Sequence, residues 1–280
     1  MPKPLRAARP SAHSHALEEA GLALQRQQPQ TAERLCAAVL KADRGNLVAL
    51  QILGAALLQQ DRAQEAVDLL RRAARRSEQP AIETLLARAL TAAGHRDEAF
   101  EQLRLAVTRR PVYALAFLDL GVGLGEAGRC AEGIAVLDQG LALAPDADGL
   151  RVALGHLRLR RGECAEARQA FEIARARAPG RHDAMLGLAK TLALQGDYAG
   201  AADLYRAALA IRPDDPLARI ALGKCLLEMG EREAGEAAIR AAGHGAPALA
   251  GLALTALAST PHGRVFMRPS AAARFLGGAA

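Results

Sequence analysis

The chain has 280 residues, of which 51% are hydrophobic and only 3% aromatic, and it contains no tryptophan and a single asparagine, Asn46. Alanine, leucine and arginine dominate, and all three favour helices. The β-branched and aromatic residues that favour strands are scarce. This composition suits a β-rich fold badly and favours an all-α protein.

The formal net charge of +6 comes from the two ends of the chain. Residues 1–12 and 262–280 carry six basic residues and no acidic one: Lys3, Arg6, Arg9, Arg264, Arg268 and Arg274. The other 30 basic residues balance 30 acidic ones, so the body of the chain is neutral and gives little reason to expect a nucleic-acid partner. RNA binding through the basic tails remains an alternative, and it predicts a steep salt dependence.

Residues 1–12 contain three prolines and read as a disordered basic arm without the apolar centre of a secretory signal. The longest apolar run, Ala246–Ala258, is too short to span a bilayer. The four cysteines, Cys36, Cys130, Cys164 and Cys225, form no C-x-x-C pair and read as small hydrophobic residues in a reducing compartment. We therefore expect a cytoplasmic protein.

A repeat of 34 residues organises the chain. Its clearest copy, within residues 114–147, contains Leu120-Gly121, Gly128, Gly133, Leu137, Gly140 and Pro145. The next copy has Leu154-Gly155, Gly162, Ala167, Phe171, Ala174 and Pro179 at the same places. A period of this length is typical of stacked, structurally equivalent units.

The period divides residues 13–249 into repeats 1 to 7, at about 13–46, 47–79, 80–113, 114–147, 148–181, 182–215 and 216–249. Apolar spacing predicts two helices in each repeat, with a turn glycine after the first and a proline after the second. Repeats 1 and 2 depart from this pattern, because Gln27 and Asp61 stand at the turn and Arg44 replaces the closing proline of repeat 1.

The leucine–glycine pair of the first helix, the alanine and the aromatic or leucine of the second, and the terminal proline resemble the tetratricopeptide repeat (TPR). The resemblance covers residues 13–249 and implies an all-α, right-handed superhelical solenoid of about seven helix pairs. It also implies a non-catalytic scaffold or adaptor that binds a peptide or a partner protein in a concave groove. The apolar run after Pro247 predicts a closing helix at about 248–259, and we expect residues 250–280 to hold this capping helix and a basic, apolar tail.

One face of each first helix lines the groove in the TPR family. The ninth place of repeats 3 to 7, called here the ninth-place row, holds Arg88, Val122, His156, Lys190 and Lys224. Four residues earlier stand Thr84, Leu118, Val152, Leu186 and Ile220. The resemblance therefore predicts a groove with a basic row and an apolar floor, suited to a partner with apolar anchors and acidic residues. The apolar residues could equally belong to the core between repeats.

The tail supplies a second candidate surface: Phe266, Met267, Phe275 and Leu276. These residues could cover the capping helix, or they could dock a partner with the help of the neighbouring arginines. Proteolysis after Arg268 or Arg274 would be rapid only if the tail were not folded back.

No catalytic or metal-binding signature is present in the sequence, and no cofactor is expected. The chain lacks a P-loop, H-E-x-x-H and G-x-S-x-G. An enzyme with an unrecognised site is a further alternative. Residues 31–76 look like bacterial repeat arrays that precede sulfotransferase or glycosyltransferase domains, so an accessory subunit of envelope-polysaccharide or secretion machinery is another.

Overall fold

The computed structural model describes residues 12–264, 271–272 and 275–276 of the chain. These residues form fifteen α-helices and no strand, which confirms the all-α class. They divide into two compact units. The N-terminal unit holds the described residues up to Leu124 together with Ala142–Ala144, and the C-terminal unit holds Gly125–Leu141 and the described residues from Pro145 onward.

The first seven helices are α1 (Ala12–Gln25), α2 (Pro29–Ala42), α3 (Leu47–Gln59), α4 (Ala63–Ala74), α5 (Pro80–Ala92), α6 (Arg96–Thr108) and α7 (Ala114–Glu126). The other eight are α8 (Cys130–Leu143), α9 (Asp148–Arg160), α10 (Cys164–Arg177), α11 (His182–Leu194), α12 (Tyr198–Ile211), α13 (Pro216–Glu228), α14 (Arg232–Gly245) and α15 (Ala250–Ala258). Seven pairs and a closing helix agree with the predicted solenoid. The closing helix follows a short 3-10 turn, Pro247–Leu249, so it begins two residues later than the sequence pattern predicts.

Local side-chain chemistry explains where several helices begin. The Asn46 side chain accepts a hydrogen bond from the backbone N–H of Ala49 at 3.0 Å, which satisfies a donor that the first turn of α3 leaves free. Asp197 and Asp215 cap α12 and α13 in the same way, each at 2.9 Å. Prolines occupy the first position of α2, α5 and α13, where a missing backbone N–H costs nothing.

The turn between the two helices of a repeat uses a left-handed residue. Five glycines at this place have φ between 78° and 87°, from Gly94 in repeat 3 to Gly230 in repeat 7. In repeats 1 and 2, Gln27 and Asp61 adopt the same conformation with φ of 58°. The backbone geometry is thus kept where the sequence lacks the glycine.

Replacing Gln27 with glycine should raise the free energy of unfolding of the protein by about 1 kcal/mol, because a side chain at positive φ crowds the following carbonyl. Asp61→Gly should give a smaller gain, since aspartate tolerates this conformation better than glutamine. Urea denaturation measures both values. Gly94→Ala is the reverse control and should destabilise the protein; a loss of stability in Gln27→Gly would contradict the strain argument.

Within each unit the first helices of neighbouring repeats contact one another. α3 contacts α1 and α5, and α11 contacts α9 and α13. The second helices pack instead against the first helices on either side of them, as α10 and α12 do against α11. The first helices therefore form the inner layer of each unit, and the second helices form the outer layer.

Small residues and aliphatic side chains fill the cores between the layers. In the N-terminal unit, one core surrounds Ala32, Cys36 and Val39. In the C-terminal unit, Phe171, Leu188 and Tyr205 lie at the centre of another. All four cysteines are free thiols, and burial raises the pKa of Cys36 and of Cys225 to about 11. None of the helices in the described part of the chain has the length and apolar character needed to cross a bilayer.

Candidate binding surfaces

The ninth-place row has three members in the C-terminal unit: His156 on α9, Lys190 on α11 and Lys224 on α13. Lys190 and Lys224 are exposed, and His156 keeps an exposed surface while one side of its ring packs against Phe171. Lys190 and Lys224 have no ion pair with any carboxylate in the described residues. Because α9, α11 and α13 are consecutive first helices that contact one another, the same place in each of them puts these three residues in one row across this unit.

The apolar residues beside this row are buried to different extents. Val152 and Ile220 are 5% and 3% exposed and belong to the cores of the C-terminal unit. Leu186 keeps partial exposure, as do its neighbours Leu159 and Ala193. In this unit, the accessible part of the predicted apolar groove floor therefore lies mainly around α11.

Sequence reasoning missed Leu194, which is the most exposed large hydrophobic residue in the described part of the chain, at 60%. It stands four residues after Lys190, and side chains at this spacing lie on the same face of a helix. α11 thus presents Leu186, Lys190 and Leu194 in one line. The i, i+4 spacing was available in the sequence, but nothing there distinguished an exposed leucine from a core one.

His156 is held by an aromatic contact. Its ring lies edge-on to Phe171, with the ring centroids 5.0 Å apart and the planes at 68°. This partial desolvation, together with the positive charge of nearby Lys190, lowers the pKa of His156 below its ordinary value of 6.5, although Asp183 acts in the opposite direction. At neutral pH the fixed charge of this face therefore comes from the two lysines.

In the N-terminal unit the corresponding residue, Arg88 on α5, already has an internal partner. Its Nε donates to Asp119 Oδ2 at 2.5 Å and its Nη2 donates to Asp119 Oδ1 at 2.9 Å. The buried hydroxyl of Thr84 donates to the Pro80 carbonyl at 2.6 Å, and Leu118 on α7 is half-buried. A cavity of about 150 Å³ adjoins the guanidinium and is lined by Gln51, Ala81, Thr84, Leu85, Arg88 and Tyr113. A ligand carboxylate here would have to share Arg88 with Asp119.

Two residues of the candidate docking tail are described. Leu276 is buried in one core cluster with residues of α13, α14 and α15, and Phe275 is packed against the same cluster. The guanidinium carbons of Arg240 and Arg264 lie 4.4 Å and 5.2 Å from the centroid of the Phe275 ring. Docking of these side chains to a partner would require them to leave this core. Phe266 and Met267 lie outside the described residues.

Solved structures with a similar fold come from several sources. A tetratricopeptide repeat protein from Parabacteroides merdae is 18% identical, with a TM-score of 0.60 over 82% of this chain and 91% of that one. The Cut9–Hcn1 hetero-tetramer of APC/C matches with a TM-score of 0.70 and 14% identity, over 89% of this chain and 50% of the other. PilF of Pseudomonas aeruginosa matches with a TM-score of 0.63 and 19% identity, over 73% and 93%. At these identities the likeness concerns the fold alone.

Sequence comparison agrees with the fold. A tetratricopeptide repeat family model matches residues 23–89 and 192–258, and a second model of the same description matches residues 152–216. No curated protein is similar enough in sequence to match the chain. The matched segments together cover more than half of the chain, and such repeats serve in general as scaffolds for protein–protein interaction. The chain belongs to the tetratricopeptide repeat family.

Proposed function

We propose that this protein is a non-catalytic adaptor that binds an acidic segment of a partner protein across α9, α11 and α13. The observation that carries the proposal is the pair of lysines, Lys190 and Lys224, which are exposed on consecutive inner helices without a carboxylate partner in the described residues. Two leucines beside Lys190, Leu186 and Leu194, offer an apolar contact on the same line of α11.

The two kinds of contact have different roles. Burial of apolar surface contributes most of the affinity, at about 25 cal/mol per Å² before ordering costs are subtracted. Each exposed ion pair adds only about 0.2–1 kcal/mol, but it selects acidic segments and fixes their register on the row. The ligand is therefore expected to combine aspartate or glutamate with a large apolar side chain.

Charge reversal tests the proposal. Peptides selected on the immobilised protein from a random displayed library should be enriched in acidic and large apolar residues. For a selected peptide, Lys190→Glu with Lys224→Glu should weaken binding at least about tenfold, because two attractions become repulsions. Fluorescence anisotropy gives the dissociation constants.

Arg175→Glu with Arg212→Glu is the matched control. Both arginines are exposed in the same unit and have no ion pair within the described residues, so the net charge changes equally. Equal losses in the two double variants would show that only net charge matters, and an unchanged affinity in the lysine variant would remove the row from the proposal.

Binding of the acidic peptide should also depend on His156. Since burial and Lys190 hold the pKa of His156 below 6.5, the ring is neutral at pH 7 and gains a positive charge as the pH falls. Ligand carboxylates stay ionised until the pH approaches about 4, so the affinity should rise, by up to about threefold, as the pH is lowered below 6.5. The variant His156→Gln should bind with a flatter pH profile; an identical profile would show that His156 takes no part.

The proposal gives no side chain a catalytic role and needs no cofactor. We place the adaptor in the cytoplasm, and the four free thiols support a reducing compartment. The accessory-subunit and RNA-binding alternatives draw no specific support from the contacts of the described residues.

A further inference from the structure

A pocket in the N-terminal unit lies away from the inner face. It has a volume of about 270 Å³ and opens where the ends of α2 and α4 meet the beginning of α3. Its apolar lining consists of Leu40, Leu50, Leu69 and Ala73. Three guanidinium groups complete it: Arg44, Arg72 and Arg76.

None of these three guanidiniums contacts a carboxylate in the part of the chain that the structure describes. Arg72 donates through Nε to the backbone carbonyl of Asp68 at 3.0 Å, and all three side chains are exposed. Three unpaired positive charges around an apolar lining form a site for a ligand that is both anionic and apolar.

Comparison of repeat 2 with repeats 3 and 5 shows which charged side chains are missing around this pocket. Arg109 and Arg177 hold in repeats 3 and 5 the place that Arg76 holds in repeat 2. Each meets one carboxylate in the first turn of its own repeat: Arg109 Nη2 lies 3.0 Å from Glu83 Oε1, and Arg177 Nε lies 2.9 Å from Asp148 Oδ1.

Each of these two arginines also meets a carboxylate two residues before its repeat begins. The Arg109 partner is Glu78 at 3.1 Å, and the Arg177 partner is Asp146. An arginine at this place in the repeat is thus held by two carboxylates wherever it is paired.

Repeat 2 keeps the arginine and lacks both acids. Leu50 stands where repeat 3 has Glu83, Leu47 stands where repeat 5 has Asp148, and Gly45 stands at the place of Glu78 and Asp146. Leu50, at the fourth place, contributes to the apolar lining of the pocket. Arg76 therefore stands at the place of Arg109 and Arg177 without the two carboxylates that hold those arginines.

We propose that this pocket binds an acidic segment of a partner protein, with one large apolar side chain in the pocket and flanking carboxylates on Arg44, Arg72 and Arg76. Charge complementarity selects the occupant, since residues 1–12 and 262–280 of this chain contain no acidic residue. Carboxylates fit better than phosphates, because carboxylates fill the same place in repeats 3 and 5. All of its lining residues belong to the N-terminal unit.

The test uses the full chain and a short fluorescent peptide that alternates aspartate and leucine. Wild-type protein should bind it with a dissociation constant below about 1 mM, and Arg44→Glu with Arg76→Glu should weaken binding at least about tenfold. An amide analogue of the peptide and an analogue with serine in place of leucine should both bind more weakly. Circular dichroism checks that each variant is folded.

Two control variants separate the site from general charge effects. Arg34→Glu with Arg75→Glu changes the charge equally at exposed arginines that do not line the pocket, and it should leave binding within about twofold of wild type. The pocket variant is also compared with its parent in the Lys190→Glu, Lys224→Glu background, which removes binding at the ninth-place row. The tenfold loss should persist there, so that a failure of this proposal is distinguishable from a failure of the adaptor proposal.

The proposal is overturned if the Lys190→Glu, Lys224→Glu protein does not bind the peptide, or if Arg34→Glu with Arg75→Glu loses as much affinity as the pocket variant. Tighter binding of a phosphoserine analogue would assign the pocket to phosphate instead and would overturn the carboxylate ligand. Weaker peptide binding at higher protein concentration, together with a concentration-dependent dimer in ultracentrifugation that Arg44→Glu with Arg76→Glu abolishes, would show that a second copy of the chain occupies the pocket and would overturn the proposal.

Discussion

Phe171→Ala is expected to lower the free energy of unfolding of the C-terminal unit by about 3–5 kcal/mol, the usual cost of removing a large buried aromatic ring. Phe171 is fully buried and lies between two helices of the inner layer. It faces Gly155 on α9 and Gly187 on α11, and it also supports the ring of His156. Urea denaturation followed by circular dichroism measures the loss.

The two glycines that face Phe171 allow a second test of its packing. A Cβ atom added at Gly187 would lie 2.3 Å from Phe171 Cε1, and one added at Gly155 would lie 2.7 Å from Phe171 Cζ. Gly187→Ala should therefore destabilise the wild type, since the overpacking cost of about 1–3 kcal/mol exceeds the helix propensity gain of about 1 kcal/mol.

In the Phe171→Ala background the sign of the Gly187→Ala effect should reverse, because the ring is gone and only the propensity gain remains. The control is Gly180→Ala, whose added methyl group would meet nothing within 4 Å. If Gly187→Ala destabilised both backgrounds equally, the close contact with Phe171 would not be the reason for the glycine.

Arg109→Met should cost about 3 kcal/mol of stability in the N-terminal unit, because it leaves a buried carboxylate without its cation. The side chain of Glu83 is only 4% exposed, and Arg109 contacts it through both Nε and Nη2 at 3.0 Å. Methionine preserves most of the apolar stem of arginine, so the lost charge accounts for most of the effect. Urea denaturation measures the change.

Two comparisons isolate the buried charge. Adding Glu83→Met to Arg109→Met should recover most of the loss, since an apolar pair of similar volume leaves no unpaired ion. Arg71→Met removes a pair with Glu98, whose side chain is 44% exposed, and should cost at most about 0.5 kcal/mol. Equal effects of Arg109→Met and Arg71→Met would contradict the role of burial.

Much of the fold could be predicted from local sequence. The sequence predicts the turn between the two helices of each repeat even where Gln27 and Asp61 replace glycine, because the apolar spacing continues on both sides of the turn. Helix starts at Asn46 and Asp215 depend on contacts three residues away. The start of α15 was predicted two residues too early, since a 3-10 turn and an α-helix share the same apolar pattern over one turn.

The candidate sites were predictable only in part. The ninth-place row follows from the period of 34 residues, which puts Lys190 and Lys224 on equivalent faces of consecutive first helices. The pairing of Arg88 with Asp119 could not be predicted, because the two residues are 31 positions apart and their contact depends on how α5 and α7 pack. The exposure of Leu194 could not be predicted either, because it depends on how α11 packs against its neighbours.

The sequence by itself determined the all-α class, the succession of helix pairs and the positions of the basic side chains, because these depend on spacings within one repeat. Only the tertiary structure decided which of those charges are neutralised and which apolar residues remain accessible. The physical reason is that an ion pair or a pocket requires residues from different helices at distances of a few ångströms. Arg109 and Arg76 hold the same place in their repeats, yet only the packed structure shows one paired with carboxylates and the other beside an apolar pocket.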